Sequence, residues 1–238
     1  MNGPRDPLPE AELRERLWVG ASGYMYDDWV GSFYPKGLAK QDYLRFYASK
    51  FPVVEVNATY YRIPPARSFA TMAERTPDGF VFILKANQDM THKGSRETSL
   101  YRSFLESIQP LRDAGKFDGL LLQFPFGFRN EARNRSHLAF LRESLPGMRL
   151  WAEFRHDSWN RKPVFDYLKR LSLGFCAVDE PTLPRLMPGV AEATSDTGYV
   201  RFHGRNAAVE VGNFPDRTGR RPLHADHKIW GVTAFRIG

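Results

Sequence analysis

The chain has 238 residues, of which 42% are hydrophobic and 14% aromatic, and its formal net charge is +7. This length allows one sizeable core and is short for two full domains, so we expect a single main domain. No apolar run approaches the ~18 residues of a membrane span, and the N-terminal residues lack the apolar centre of a secretory signal peptide. A soluble, cytoplasmic protein without membrane partners is predicted.

The single cysteine, Cys176, excludes an intramolecular disulfide and favours a reducing compartment. It lies in the apolar run LGFCAV with no base beside it in sequence. This setting indicates a small buried side chain rather than a catalytic thiol.

Short β-rich runs recur along the chain, at residues 17–24, 53–57, 80–85, 119–124, 150–155, 174–179 and 199–204. Most are continuously apolar, which is typical of parallel strands covered on both faces. Several are separated by segments with helical spacing, at residues 42–51, 101–115, 137–145 and 163–171. This order of elements predicts an α/β fold.

The strands begin at intervals of roughly 25 to 40 residues, the size of a repeated βα unit. Such a repeat builds either a doubly wound open sheet or a (β/α)8 barrel, and the length favours the barrel, for which ~250 residues is typical. An eighth strand would have to come from residues 228–237, and the segment before it shows no helical stripe. We predict a TIM-type barrel of parallel strands with irregular or incomplete closure at the C-terminus.

Polar residues stand at the C-terminal end of every predicted strand, where the strands of a parallel barrel surround one mouth. They are Ser22, Glu55, Asn57, Lys85, Gln123, Glu153, Arg155, Asp179, Arg201 and His203. Buried charges are costly unless they are paired, so acids and bases placed together indicate a built arrangement. The ring either lines a ligand cavity, which we favour, or is an ion-pair network that only fixes strand register.

Aromatic residues are frequent in the loops that leave these strand ends, among them Tyr24, Tyr26, Trp29, Phe33, Tyr34, Tyr60, Tyr61, Phe126, Phe128 and Trp159. Flat side chains above a polar cavity suit stacking on a sugar ring or a base. Packing of the loops against one another explains these residues equally well.

Six motifs occur in a fixed order between about Val19 and Asn206: GASGYMYDDWVGSFYP, VVEVNATYYRIP, FVFILKANQDMTH, LLLQFP, WAEFRHDSW and YVRFHGRN. With these motifs the chain resembles the YecE-like proteins, the family of domain of unknown function 72. The resemblance implies a TIM-type barrel with a polar cavity at its mouth, and it implies no established reaction. The recurrent polar positions of the family correspond here to Glu55, Asn57, Lys85, His92, Gln123, Glu153, Arg155, His156, Trp159, Arg201, His203, Gly204 and Arg205.

The C-terminus departs from this resemblance. A YecE-like chain continues from its HGRN motif through a loop with Trp and Tyr into a helix and an eighth strand, and residues 207–238 lack that pattern. We therefore divide the chain into an N-terminal extension (1–16), a YecE-like barrel domain (17–206) and a divergent tail (207–238). The tail is either an atypical eighth strand or a truncated or frame-shifted end.

Three chemistries are open to the ring. A phosphate could bind at the HGRN motif, where Gly204 lets backbone N–H groups approach and Arg201 and Arg205 supply forked donors. A divalent metal could bind Glu153, Asp179 and His203, with Glu55 or His156, although close ligand spacing is missing and the cations compete. Because no motif requires a cofactor, the cofactor stays unknown and no metal ligand is assigned.

The third chemistry is acid/base catalysis without a metal, with Glu153 as the base and Lys85 or His203 as the acid. The predicted catalytic residues are Glu153, Lys85, His203 and Asp179. The predicted substrate-binding residues are Glu55, Asn57, His92, Gln123, Arg155, His156, Trp159, Arg201, Gly204 and Arg205.

The favoured hypothesis is an enzyme that binds a small anionic substrate, sugar-like or phosphorylated, at the barrel mouth. The less favoured alternative is a nucleic-acid-binding protein or nuclease, which the positive charge suggests. Residues 199–238 hold seven basic and three acidic side chains, so a surplus of four of the +7 net charge sits in the last forty residues. A third hypothesis is an inactive, truncated paralogue. The sequence predicts no oligomeric state.

Overall fold

The computed structural model describes residues 16–204 and, as backbone, 232–235. Seven parallel strands form a strongly curled sheet in which neighbours in sequence are neighbours in space. They are β1 (Leu17–Ser22), β2 (Val53–Val56), β3 (Val81–Lys85), β4 (Phe117–Gln123), β5 (Arg149–Glu153), β6 (Gly174–Asp179) and β7 (Tyr199–Phe202). The predicted α/β class and barrel-like sheet are confirmed.

The remaining gap in the sheet is filled by a short strand of opposite direction. Strand β8 (Val232–Phe235) runs antiparallel to both β7 and β1, and Val232 is in register with Arg201 on one side and Gly20 on the other. The parallel barrel is thus not closed in the regular way, as predicted. The predicted extension before residue 16 and most of the predicted tail lie outside the described residues, so the domain boundaries stay predictions.

The described α-helices are α1 (Tyr43–Ala48), α2 (Ala58–Tyr61), α3 (Ala66–Glu74), α4 (Gln88–Thr91), α5 (Thr98–Asp113), α6 (Ala132–Ser144) and α7 (Lys162–Arg170). Single 3-10 turns cover Asp27–Trp29, Lys40–Asp42 and Asp157–Trp159. The four predicted helices correspond to α1, α5, α6 and α7. Three helices, α2, α3 and α4, were not predicted; α2 and α4 have only four residues each, too few turns for a clear apolar stripe. None of the described helices is long and apolar enough to cross a membrane.

The connection between β6 and β7 contains no helix, although a regular barrel would place one there. It includes Pro181, Pro184 and Pro188, and proline removes a backbone donor and interrupts helical hydrogen bonding. In the sixth βα unit, an irregular loop therefore takes the place of the helix.

The interior of the barrel is filled by the apolar cluster Val53, Val81, Ile83, Leu121, Trp151, Cys176 and Tyr199. The Trp151 ring stacks on Tyr199 with 5.2 Å between centroids, and its Nε1 donates to the Thr197 carbonyl at 3.2 Å. Room for this indole depends on glycines in both neighbouring strands, since a Cβ at Gly119 or Gly174 would lie 2.4 Å from a Trp151 atom. Cys176 is buried here, as predicted.

We expect Gly174→Ala to lower the free energy of unfolding by roughly 1–3 kcal/mol, because the added methyl must displace Trp151 in a packed interior. Gly127→Ala is the matched control, since a Cβ there meets nothing within 4 Å. Urea unfolding at neutral pH measures both variants. An unchanged midpoint for Gly174→Ala would show that Trp151 is loosely packed.

Candidate functional site

The centre of the barrel mouth is Arg201, on β7, which lies between two carboxylates from other strands. Its Nη2 is 3.0 Å from Glu55 Oε1, and its Nη1 is 2.6 Å from Glu153 Oε2. Glu55, Glu153 and Arg201 expose only 1%, 0% and 4% of their surfaces. A buried ion pair of this kind is favourable only when further hydrogen bonds satisfy the remaining polar atoms.

The two carboxylates receive those bonds from the neighbouring strands. Glu55 accepts from Ser22 Oγ at 2.6 Å and from the Tyr199 hydroxyl. Glu153 accepts from Gln123 Nε2 at 2.8 Å. Side chains from β1, β2, β4, β5 and β7 therefore meet in one hydrogen-bonded cluster, which brings together most of the predicted ring.

Asn57 is attached to this cluster through a single bond. Its Nδ2 donates to Ser22 Oγ at 2.6 Å, whereas its buried Oδ1 has no hydrogen-bond partner in the described part of the chain. An unsatisfied buried carbonyl is costly, and a ligand donor would remove that cost. Asn57 is thus placed to accept a hydrogen bond at the mouth, in keeping with its predicted binding role.

Arg155 extends the cluster to an acid that the sequence analysis missed. Its Nε lies 3.2 Å from Glu153 Oε1, and its Nη1 pairs with Glu180 Oε2. The sequence predicted Asp179, on β6, as the acid at this position. In the register between β6 and β7, however, Val178 lies beside Arg201, and Asp179 lies beside the exposed Phe202. Alternation places Asp179 on the opposite face from Arg201, so the prediction of Asp179 in the ring is corrected to Glu180.

The charge of Glu153 is strongly fixed by its neighbours. Burial by itself would raise the pKa of Glu153, but the charges of Arg201, His203 and Arg155 hold it well below the ordinary value. Burial by itself would lower the pKa of Arg201, but the charges of Glu153 and Glu55 raise it. A carboxylate held in this way has little affinity for a proton, which argues against the predicted role of Glu153 as general base.

Lys85, at the end of β3, is the exception to this pairing. In the described part of the chain its Nζ has neither an ion-pair partner nor a hydrogen-bond acceptor, and it lies 4.5 Å from the centre of the Tyr60 ring. Burial and the nearby Arg201 charge lower the pKa of Lys85 to about 8, against the opposing effect of Glu55 and Glu153. Lys85 is therefore a cation that can lose its proton close to neutral pH.

His203 contacts the cluster from the end of β7. Its Nε2 lies 3.3 Å from Glu153 Oε1 and 3.4 Å from Arg201 Nη1. Burial lowers the pKa of His203 more than the Glu153 carboxylate raises it, so the imidazole is neutral at pH 7. A neutral imidazole can accept a proton, which makes His203 a candidate base, whereas the sequence predicted it as an acid.

Two residues of the WAEFRHDSW motif lie away from the cluster. Trp159 is fully buried, stacks on Phe154 at 4.2 Å, and donates from Nε1 to the Phe128 carbonyl at 2.6 Å. His156 is buried too, and its Nδ1 accepts from the Ser158 backbone at 3.1 Å, where it caps a 3-10 turn. Both side chains hold the loop in place, so the structure does not support their predicted contact with substrate.

Two other predicted binding residues, His92 and Gly204, lie at the edge of the mouth. His92 is exposed, and its ring packs edge-on against Tyr60 at 5.1 Å. Gly204 adopts φ +78°, a left-handed conformation that favours glycine, and Arg205 lies outside the described residues. The predicted phosphate site at the HGRN motif therefore remains a prediction.

Most of the loop aromatics pack against one another. Tyr34 is buried and stacks on Tyr43 at 4.0 Å, and Trp29 contacts Phe33 edge-on at 5.3 Å. Tyr60 and Tyr61 differ, because Tyr60 faces Lys85 and Tyr61 is 73% exposed. Packing thus explains the first loop, and stacking on a ligand is open only to the aromatics beside the mouth.

A metal does not fit the described part of the mouth. No group of three or more His, Cys, Asp or Glu side chains that could hold a metal ion is present among the described residues. Arg201 occupies the space between Glu55 and Glu153 that a cation would need. The donors of the ring are therefore arranged around guanidinium groups.

A large cavity lies at the opposite end of the barrel. Its volume is about 1090 Å³, and its lining includes Phe117, Arg149 and Leu171 near the N-terminal ends of strands. Its basic and acidic residues are mixed, and Arg149 pairs with Asp118. We place the candidate site at the mouth instead, because the buried, converging charges lie there.

The sequence profile described as "Protein of unknown function DUF72" matches residues 18–229. The chain belongs to the DUF72 family. It is 32% identical to the UPF0759 protein YunF of Bacillus subtilis over 202 residues, which cover 80% of this chain and 71% of YunF.

Two crystal structures of DUF72 proteins resemble this one. The Thermotoga maritima structure is 36% identical, with a TM-score of 0.75 over 88% of this chain and 82% of the other. The Enterococcus faecalis structure is 27% identical, with a TM-score of 0.74 over 86% of this chain and 76% of the other. The resemblance to the family of domain of unknown function 72 is thus confirmed, and the family description assigns no activity.

In this DUF72 chain we expect Arg201→Gln to cost about 3–5 kcal/mol of unfolding free energy at pH 7, because two buried carboxylates lose their cation. Since the pKa of Glu153 is depressed, its pairing stabilises the fold above about pH 4.5 and is lost as the pH falls further. The difference from wild type should therefore shrink in acid. Urea unfolding at pH 7 and pH 4 tests this, with Arg45→Gln on the exposed face of α1 as control.

The opposite result is expected for Lys85→Met. The pKa of Lys85 is lowered from 10.5 to about 8, so burial of its charge costs about 3 kcal/mol, and the variant should be more stable at pH 7 by up to that amount. The unfolded chain binds more protons between these two values, so wild type should gain stability as the pH rises through 8 towards 10.5. Unfolding midpoints across this range measure the effect. If Lys85→Met lowers the free energy of unfolding while Lys36→Met leaves it unchanged, the charge of Lys85 stabilises the fold and the prediction is wrong.

Proposed function

We propose that the mouth binds a small anionic molecule, sugar-like or phosphorylated, and that Lys85 exchanges a proton with it. The observation that carries the proposal is the half-buried Lys85 ammonium, which faces the Tyr60 ring and has neither an ion-pair partner nor a hydrogen-bond acceptor in the described part of the chain. The two arginines of the ring are already paired with carboxylates. An added anion at the mouth would therefore find its strongest donor at Lys85.

Lys85 is also suited to acid/base work. A general acid or base is most effective when its pKa lies near the working pH, and that of Lys85 is about 8. At pH 7 the ammonium form prevails, so Lys85 is assigned as the acid that protonates the substrate. His203, neutral and within reach of the cluster, is the matching acceptor, whereas Glu153 holds Arg201 and His203 in position.

The rim of the mouth supports a sugar-like substrate. The Tyr60 ring lies under the Lys85 ammonium. The Tyr61 ring packs edge-on against the Tyr60 ring, with 5.0 Å between the two centres, and Tyr61 itself is mostly exposed. Flat rings beside hydrogen-bonding groups are the usual surroundings of a bound sugar. Asn57 Oδ1, which lacks a partner, can accept from a ligand hydroxyl.

The test is a thermal-shift screen of sugars and sugar phosphates against wild type and Lys85→Met. A ligand at 100 times its Kd stabilises the folded state by about 2.7 kcal/mol, which shifts the melting temperature by several degrees. We expect sugar phosphates to shift wild type and Lys36→Met alike, and Lys85→Met much less. The wild-type shift should also decline as the pH rises through 8, because the ammonium loses its charge.

Two outcomes would overturn the proposal: no shift from any anionic sugar in folded wild type, or an equal shift in Lys85→Met. The alternative, a nucleic-acid ligand, would show oligonucleotide binding that weakens steeply with salt. The third hypothesis, an inactive truncated paralogue, predicts poor cooperativity in the thermal unfolding of wild type.

A further inference from the structure

A second cavity adjoins the mouth, between loops that leave β3 and β4. Its volume is about 420 Å³. It is lined by residues 91–94 and Arg96, which lie at the end of α4 and directly after it, by the loop after β4, and by the first turns of α6. Because β3 and β4 end at the mouth, these loops belong to the same end of the barrel as Lys85. A volume of this size lies in the ordinary range of small-molecule sites, about 300–1,000 Å³.

The lining of this cavity carries a single sign of charge. Lys93, Arg96 and Arg133 are basic, and none of its lining residues is acidic. Lys93 Nζ pairs with Asp89 at 2.7 Å, but Asp89 is not one of the residues that line the cavity. The larger cavity at the far end of the barrel, in contrast, mixes Asp118, Glu143 and Asp196 with its bases. Unbalanced positive charge in a concave surface concentrates anions.

Arg96 is exposed, and no acid among the described residues pairs with its guanidinium. Its Nη2 donates to Ser136 Oγ at 3.2 Å, and the group lies 5.0 Å from the centre of the Phe140 ring. These neutral contacts orient the planar fork and leave its charge uncompensated. A forked, oriented guanidinium is well suited to the paired oxygens of a phosphate.

The floor of the cavity is rigid. His137 is buried and its Nε2 lies 2.7 Å from the Met90 carbonyl, which can only accept, so Nε2 carries the proton. Asn134 is buried too, and its Nδ2 donates to the Arg129 carbonyl at 2.7 Å. Two polar side chains fixed by backbone bonds give a preformed floor beneath the basic rim, which lowers the entropic cost of binding.

The cavity and Lys85 are joined by one aromatic ring. Tyr60 has the Lys85 ammonium 4.5 Å from its centre and the His92 ring 5.1 Å from its centre, and His92 lines the cavity. A molecule a few bonds long could therefore place its reacting end at Lys85 and its charged end in the cavity. We infer that this cavity, bounded by Arg96, Arg133 and His92, binds the phosphate group of a small phosphate monoester whose other end reaches Lys85.

This inference rests on the proposed function, and calorimetric titrations separate the two. The probes are inorganic phosphate, ribose and ribose 5-phosphate, titrated into wild type, Lys85→Met and the double variant Arg96→Gln/Arg133→Gln. The control is Arg112→Gln/Arg170→Gln, which removes the same charge from the far cavity. Thermal unfolding confirms that each variant is folded.

We expect wild type to bind ribose 5-phosphate and inorganic phosphate, and the Arg96/Arg133 variant to bind both about tenfold or more weakly, since each lost charge-assisted bond is worth ~1.5–3 kcal/mol. Lys85→Met should keep its affinity for inorganic phosphate and bind ribose 5-phosphate more weakly. The control variant should match wild type for every probe.

Other patterns would overturn the inference. Ribose 5-phosphate binding that depends on Lys85 and is unchanged in the Arg96/Arg133 variant would refute the cavity and leave the proposed function standing. Inorganic phosphate binding lost in Lys85→Met would place the phosphate at the mouth itself. No binding of any phosphate would refute both. A single-stranded oligonucleotide bound through Arg96 and Arg133, with a steep salt dependence and no response to ribose 5-phosphate, would make the cavity part of a nucleic-acid surface.

Discussion

The paired contact of Arg201 with Glu55 and Glu153 determines how the rest of the mouth can behave. Two carboxylates from β2 and β5 and a guanidinium from β7 are all removed from water, which costs several kcal/mol for each ion unless the geometry is close. The hydrogen bonds from Ser22 and Gln123 complete that geometry. Strands that are far apart in sequence are thereby tied together, and the acids that look catalytic are already engaged in this structural task.

The layer beneath this contact keeps it dry. Trp151 and Tyr199 stack across the barrel interior, and the Tyr199 hydroxyl donates to Glu55. Charges held above such an apolar layer interact more strongly than they would in water. The glycines that make room for Trp151 thus affect the mouth indirectly, since a shifted indole would move Tyr199 and its bond to Glu55.

The sequence predicted the barrel because buried strands recur at the spacing of a βα unit, and it predicted most of the ring because polar residues stand at the ends of those strands. Glu55, Glu153, Arg201 and His203 lie where period-two spacing places them. Prediction failed where a strand ends: Asp179 and Glu180 differ by one position, and the ion pair in the structure shows that Glu180 joins Arg155, while Asp179 is in register with Phe202.

Loop residues were harder to predict for a related reason. Trp159 and His156 follow directly after the charged end of β5, and their sequence positions do not distinguish a ligand contact from loop packing. Their partners, Phe154 and the Ser158 backbone, become visible only in three dimensions. The difference between Lys85 and the arginines is of the same kind, because the absence of a partner is a property of tertiary structure.

Charge balance connects the mouth with the basic cavity. The ring contains three carboxylates, Glu55, Glu153 and Glu180, and three cations, Arg155, Arg201 and Lys85, so it exerts little net attraction on a distant anion. The cavity beside it carries three bases and no lining acid. The cavity would then supply the long-range attraction for an anion, and Lys85 would determine which group of that anion reacts. If the proposed function holds, this division would let a site crowded with carboxylates accept a negatively charged substrate without losing the ion pairs that hold its strands together.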